Sequence, residues 1–321
     1  MTEVEFEDDV VAAGRERVFD PEAAALRLAA APGRRDRLLH LEVQPPRSAE
    51  VSGWPDWAHP AVTRAFLERS IVAPWSHQAA AADLAWRGRH TVVATGTASG
   101  KSLSYLLPAL SAIARGVDFP GVRADRGGPG GPSGPGDTVL YLSPTKALAQ
   151  DQLDAVRSLQ VPGVRAATYD GDSSREERDW VRAHGNYVLT NPDMLHRTLL
   201  PGHARWSLFW SSLRFVVVDE CHHYRGVFGA HVAQILRRLR RIAAHYGADP
   251  TFVLASATTA QPEVTAALLV GLPVTALTRD GAPRGGTAAS GPPALPQALR
   301  THPRPRHRTK RTGAPWFKGR T

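Results

Sequence analysis

The chain has 321 residues, 42% of them apolar, which suits a globular protein of one large domain with appendages or of two modest domains. A single cysteine, Cys221, excludes a disulfide framework and a paired-cysteine zinc site and fits a reducing cytoplasm; the acidic opening "MTEVEFEDDV" is unlike a signal peptide, and no apolar run approaches the ~20 residues that span a bilayer. The net charge is +9, but residues 281–321 carry nine Lys and Arg and no acid, which leaves 30 basic against 30 acidic residues before them, so the charge says nothing about the folded part.

Residues 1–65 read as an N-terminal accessory region. An acidic start is followed by a helical "PEAAALRLAAA" and by "SGWPDWAHPAV", whose tryptophans are expected to dock on the main domain. From about 75 to 277, β-rich apolar runs alternate with helical patterns, which predicts an α/β domain over 66–280 with a parallel sheet flanked by helices. Strands are expected at 91–95, 138–144, 165–170, 187–191, 215–220, 251–257 and 273–277. The helix after Lys101, "SLSYLLPALSAIAR", contains Pro108 and is expected to kink there. Ser173 or Ser174, three residues before Glu176 or Glu177, supplies a capping-box helix start. "RGGPGGPSGPGD" (126–137) has too little apolar material to pack and reads as a mobile insert. Residues 281–321 read as a basic, low-complexity, disordered tail.

Two segments carry chemistry on their own residues. "ATGTASGKS" (94–102) follows an apolar strand and opens a helix, the context a phosphate-binding loop requires: backbone N–H groups over 97–102 (Thr97, Ala98, Ser99, Gly100), Lys101 for the β and γ phosphates, and the Ser102 hydroxyl for magnesium. Thr95 stands where the general pattern asks for its first glycine. "FVVVDECHH" ends an apolar strand in two adjacent carboxylates, where open α/β sheets bind ligands; Asp219 can hold magnesium through water and Glu220 can polarise an attacking water. Cys221, His222 and His223 suggest a metal site, but three adjacent residues are not expected to point at one ion.

"ATGTASGKS", "DECH" (219–222) and "SAT" (256–258) stand in the order and approximate spacing of motifs I, II and III of superfamily 2 DEAD/DEAH-box helicases, and the chain resembles that family. The run "WPDWAHPAVTRAFLERSIVAPWSHQ" is most similar to the bacterial group exemplified by YprA and MrfA, associated with DNA repair, in which Thr95 and Ala98 are ordinary. The resemblance implies a RecA-like P-loop NTPase fold, ATP and Mg2+ as cofactors, and a nucleic-acid partner, with single-stranded DNA ahead of RNA. It makes Gln78 of "PWSHQ" a reader of the adenine edge. Pro144, Thr145 and Lys146 of "SPTKALAQDQ", and Thr190, Asn191 and Asp193 of "TNPDML", become sugar-phosphate contacts, which position a strand without reading its sequence. It makes His222, Ser256, Ala257 and Thr258 the residues that couple nucleotide state to strand binding. "YDGD" (169–172) is an Asp-Gly turn with no catalytic role.

Helicases of this superfamily pair two RecA-like domains, and the second supplies arginine fingers. Only 63 residues follow Thr258, fewer than the ~100–200 of a usual domain, so the chain is expected to hold the first motor domain alone and to hydrolyse ATP poorly. A frameshift near residue 286 is the expected origin of the tail. The alternatives are a non-catalytic nucleic-acid-binding fragment held by that tail, and a P-loop ATPase that does not translocate, against which "PTKALAQDQ", "TNPDML" and "SAT" argue.

Overall fold

The structure, a computed structural model, describes residues 20, 23–24, 26–27, 41–118, 136–285 and 287–290. The insert expected at 126–137, except its last two residues, and the tail beyond 290 lie outside them. The chain divides into two compact units, and the larger is Arg47–Arg284. In the smaller, β1 (Leu41–Gln44) pairs antiparallel with β9 (Thr287–Ser290). Over 281–285 and 287–290 this departs from the structureless tail expected at 281–321. The partner of β9 lies far away in sequence, and nothing in the local composition announces it.

The larger unit is built on seven parallel strands: β2 (Thr91–Ala94), β3 (Thr138–Leu142), β4 (Ala166–Thr168), β5 (Tyr187–Thr190), β6 (Leu213–Val218), β7 (Thr251–Ser256) and β8 (Thr275–Leu277). Their spatial order is β4-β5-β3-β6-β7-β2-β8. Around them lie α1 (Pro60–Leu67), α2 (Ser76–Trp86), α3 (Ser102–Asp118), α4 (Lys146–Ser158), α5 (Arg175–His184), the short α6 (Pro192–Met194) and α7 (Ser207–Ser211), then α8 (Gly226–His245) and α9 (Pro262–Val270). None of the described helices is long and apolar enough to cross a membrane.

The strands are apolar throughout because both faces of the sheet are covered. Alternate residues enter two cores. Leu140, Leu142, Val216, Val218, Phe252 and Leu254 pack with Leu236 and Leu239 of α8, whereas Val139, Tyr141, Phe215, Val217, Val253 and Ala255 pack with Leu107 and Leu110 of α3. α3 continues through Pro108 as one helix. At α5 the capping box is the Ser174 pair: Glu177 N–H donates to Ser174 Oγ at 3.1 Å, and Ser174 N–H donates to Glu177 Oε2 at 2.7 Å. Arg237 and Arg240 of α8 donate to the carbonyls of Leu268 and Gly271 at the end of α9, satisfying acceptors that a helix terminus leaves open.

The boundary expected near 65 lies instead at 47. Arg47 and Arg284 exchange backbone hydrogen bonds of 2.8 and 2.9 Å, Glu50 N–H donates to Gly281 O at 2.8 Å, and Ser52 N–H to Pro74 O at 2.8 Å. Trp54 stacks on Phe66 and donates Nε1–H to Val72 O at 2.9 Å; Trp57 stacks on Trp86 at 4.6 Å between centroids. An aromatic-proline segment with no period of its own is held by indoles seated on α1 and α2. The same ladder draws residues 281–284 into this unit.

Candidate nucleotide and nucleic-acid site

The carboxyl ends of the parallel strands carry the motifs side by side. The loop after β2 holds 95–101, β7 beside it ends in Ser256, β6 next to that ends before Asp219, and β3 and β5 end before Thr145 and Asn191. Residues spread over 160 positions of sequence are thereby collected on one edge of the sheet, where ligands bind in folds of this kind.

The loop is braced from within. Thr95, 1% exposed, pairs its hydroxyl with Ser99 Oγ at 2.6 Å, and Ser99 Oγ also donates to Gly96 O at 2.8 Å. No left-handed backbone is required at Thr95, so a glycine there is unnecessary and the hydroxyl adds a brace. Ala98 and Gly100 take the left-handed conformation, at φ +60° and +61°. Lys101 Nζ donates to Gly96 O at 2.8 Å, and meeting a phosphate requires it to exchange carbonyl oxygens for phosphate oxygens. Thr97, Ala98 and Gly100 are exposed along the rim.

Gln78 makes its contacts with the loop itself. Its Oε1 accepts from Trp75 N–H at 2.8 Å, capping α2, while Nε2 donates to Gly100 O at 2.8 Å. The carboxamide thus anchors the phosphate loop from a largely buried position, and it also lines the cavity beside Gly100 and Ser102. His77 beside it forms a second anchor that the sequence reading missed. Its Nε2 lies 3.0 Å from Ser99 O, and its Nδ1 accepts from Gly281 N–H at 3.1 Å, which assigns the neutral ring with Nε2 as donor.

Burial lowers the pKa of His77, outweighing the opposing pull of Ser99 O and Asp280; burial likewise lowers that of His90, whose Nδ1 accepts from Phe252 N–H at 3.1 Å. A folded-state pKa below the ordinary 6.5 means that the unfolded chain binds more protons once pH falls under that value. The stability these rings contribute is therefore complete above about pH 6.5 and is lost on acidification. Thermal melts should be flat from about pH 8 to 7 and decline below about 6.5, and His77→Gln should reduce that slope. A melting temperature that climbs from pH 7 to 5.5 contradicts this.

Asp219 and Glu220 follow β6 directly. Glu220 holds a left-handed backbone at φ +46°, which costs a non-glycine residue about 1–2 kcal/mol. Its N–H donates to Asp219 Oδ1 at 2.8 Å. Asp219 Oδ2 accepts from Tyr141 OH at 2.5 Å and from Tyr105 OH at 3.1 Å. Tyr105 stands on α3 one turn after Ser102, so a phenol from the helix that follows the phosphate loop reaches the carboxylate after β6. Two carboxylates, a hydroxyl and an ammonium assembled this way suit a divalent cation paired with phosphate oxygens.

His222 connects this cluster to "SAT". Its Nδ1 accepts from Ala257 N–H at 3.2 Å and also lies 3.1 Å from Glu220 Oε2. The neutral Nδ1 serves Ala257 and a protonated one serves Glu220, so the two contacts are alternatives; burial lowers the His222 pKa and favours the first. Ser256 is buried with its hydroxyl donating to Ala257 O at 2.8 Å; Thr258 is exposed. Cys221 faces the core, where burial pushes its thiol up to about 12. Convergence at 220–223 was not expected, yet the Glu220 turn brings ligand atoms of Glu220, His222 and His223 within 4.8 Å of one another.

Of the residues expected to contact a nucleic-acid strand, Lys146 is exposed and ion-paired with Asp172 of the "YDGD" turn at 2.5 Å; Pro144 is half-buried. Thr145 and Asn191 cap α4 and α6, accepting from Leu148 N–H at 3.3 Å and Met194 N–H at 2.9 Å, and Asp193 is exposed beside them. Thr190 departs from expectation. It is 2% exposed and its hydroxyl donates to Tyr169 O at 2.6 Å, so it ties the end of β5 to the chain after β4 and faces no strand. Tyr105 and Tyr141 escaped the sequence reading because they stand in otherwise ordinary core runs, and His77 because the motif "PWSHQ" pointed to its neighbour Gln78. The available signal was a phenol amid aliphatics, since a buried tyrosine hydroxyl usually finds a partner.

Comparison with known proteins agrees with this geometry. The DEAD/DEAH box helicase family model matches residues 75–266. The ATP-dependent helicase YprA of Bacillus subtilis (strain 168) is 40% identical over 243 residues, which cover 75% of this chain and 30% of YprA. The crystal structure of the DUF1998 helicase MrfA bound to DNA superposes with a TM-score of 0.73 at 36% identity, covering 84% of this chain and 37% of MrfA; that bound to DNA and AMPPNP gives 0.71 at 36% identity, with 82% and 35% covered. The chain thus spans well under half the length of these relatives. The sheet order, the loop closing on Lys101 and the Asp219–Glu220 strand end share one fold with them, and the chain belongs to the DEAD/DEAH box helicase family.

Proposed function

We propose that this chain is the ATP-binding first motor domain of an ATP-dependent DNA helicase. The observation that carries the reading is the placement of the Lys101 loop, the Asp219–Glu220 pair and the α4 and α6 starts along one sheet edge, in an order that runs from nucleotide to strand. The fit to Mg2+ rests on Asp219, whose Oδ2 two buried phenols hold, together with the Ser102 hydroxyl that opens α3 directly after Lys101. Mg2+ supplies positive charge that offsets the phosphates. The chain's own residues do the rest: backbone N–H groups over 97–102 hold phosphate oxygens, Lys101 adds its charge, Ser102 and Asp219 orient the cation, and Glu220 polarises the attacking water. The pair His222–Ala257 ties Glu220's turn to the end of β7 and is the proposed route by which nucleotide state reaches the strand.

DNA as the partner is supported by the MrfA complexes, and single-stranded DNA is preferred to RNA in this reading. Calorimetric titration of the chain with ATP, alongside phosphate release with and without single-stranded DNA, tests it. ATP binding with weak hydrolysis is expected; no ATP binding sinks the proposal, and robust strand-stimulated hydrolysis contradicts the restriction to a binding half. ATP-independent DNA binding that disappears on deleting 286–321 would favour a tail-held binding fragment.

The ion pair of Lys146 bears on the strand side. Asp172 raises the Lys146 pKa and occupies its ammonium, so a phosphate must displace a carboxylate. Asp172→Asn is expected to tighten single-stranded DNA binding about twofold at low salt, a gain that shrinks as salt screens it. Fluorescence anisotropy across a salt series reads this out, and weaker binding at low salt counts against a Lys146 contact.

A further inference from the structure

We infer that Tyr141 and Tyr105 are positioning residues for Asp219, which they hold in the orientation that receives Mg2+. The inference rests on the proposed reading of Asp219 as the magnesium carboxylate. Tyr141, on β3, and Tyr105, on α3, are each 1% exposed, and both hydroxyls converge on Asp219 Oδ2 at 2.5 and 3.1 Å. Glu220 N–H fixes Oδ1 at 2.8 Å. The carboxylate thus accepts three hydrogen bonds, from β3, from α3 and from its own neighbour Glu220, and its plane cannot rotate without breaking at least one of them. A fixed carboxylate keeps its remaining lone pairs aimed in one direction, whereas a free one must lose rotational freedom each time a cation binds. Partners of this kind, one bond removed from the ion, set ligand orientation and affinity at metal sites generally.

The two tyrosines are not equivalent. The recorded hydrogen bond of the Tyr141 hydroxyl is to Asp219, at the shorter distance. The single proton of Tyr105 is shared between Asp219 and Gln152 Oε1 at 3.3 Å on α4. A phenol of ordinary pKa, about 10, carries its proton at neutral pH and so donates to the carboxylate. Tyr141 should therefore hold Asp219 more strongly than Tyr105 does.

The test measures the ratio of ATP affinities with saturating Mg2+ and with EDTA, for the full 321-residue chain and for Tyr141→Phe, Tyr105→Phe and Asp219→Asn. Affinity in EDTA reports an intact loop and fold, and the ratio reports the cation's coupling to the protein. Tyr141→Phe is expected to keep its EDTA affinity and to lose about tenfold in the ratio, Tyr105→Phe to lose less, and Asp219→Asn to bring the ratio close to that of a protein that ignores the cation. If Asp219→Asn lowers the ratio and neither tyrosine variant does, the positioning role is overturned while the magnesium role of Asp219 stands. An unchanged ratio in Asp219→Asn overturns both. Should Tyr141→Phe fail to fold, Tyr105→Phe decides alone, a ratio within twofold of wild type counting against the inference.

Discussion

Replacing Lys101 with alanine should weaken ATP binding about 10- to 100-fold while leaving thermal stability nearly unchanged. A charged donor meeting phosphate oxygens contributes on the order of 1.5–3 kcal/mol, and alanine offers nothing in its place. In the fold, the lysine gives up little. Its bond to Gly96 O is one of several that brace the loop, and Thr95, Ser99, Gln78 and His77 still hold the remainder. Titration calorimetry and a thermal melt on the same preparation check both halves. Undiminished ATP affinity in this variant would remove Lys101 from the site.

Its neighbour should behave differently. Gly100→Ala is expected to lose ATP binding and stability together. A Cβ at this position falls 2.5 Å from Gln78 Nε2 and 3.0 Å from the Trp75 ring, and φ is +61°. The left-handed backbone costs alanine about 1–2 kcal/mol and the overlap about as much again, for a total of roughly 2–4 kcal/mol. Gln78 cannot withdraw cheaply, because its other end caps α2 through Trp75 N–H. The loop must therefore move, which carries the N–H groups of 97–102 out of register. A melting temperature equal to wild type would show that Gln78 yields easily and that its bond to Gly100 does not anchor the loop. Comparing the two variants separates a residue that touches phosphate from one that shapes the loop.

Gly100 and Gln78 also show where reading the chain by its motifs runs out. "PWSHQ" and "TASGKS" mark a nucleotide site, but which atoms of Gln78 are available depends on Trp75 and Gly100 being folded against it, a relation that no spacing expresses. The same holds at Thr190, which "TNPDML" offers to a strand and the fold encloses beneath Tyr169 O. Motif spacing records which residues come together. It does not record which of their lone pairs and protons are already taken.

The sequence by itself determined the class of fold, the order of strands and helices from 75 to 277, the phosphate loop on Lys101 and the carboxylate pair at 219–220. These are legible because they rest on local physics: two-residue periodicity buried on both faces, a helix that must open after Gly100-Lys101-Ser102, and acids that an apolar strand tolerates only at its end. Tertiary structure alone decided the rest. It set the order β4-β5-β3-β6-β7-β2-β8, which seats "SAT" between the phosphate loop and "DECH", and it moved the start of the main unit from 65 to 47 through the pairing of Arg47 with Arg284. It also brought two core tyrosines from β3 and α3 onto one oxygen of Asp219. The tyrosine bonds to Asp219 and the Arg47–Arg284 pairing join residues 78 to 237 positions apart, and the direction of such bonds is settled only when the elements that carry them have packed.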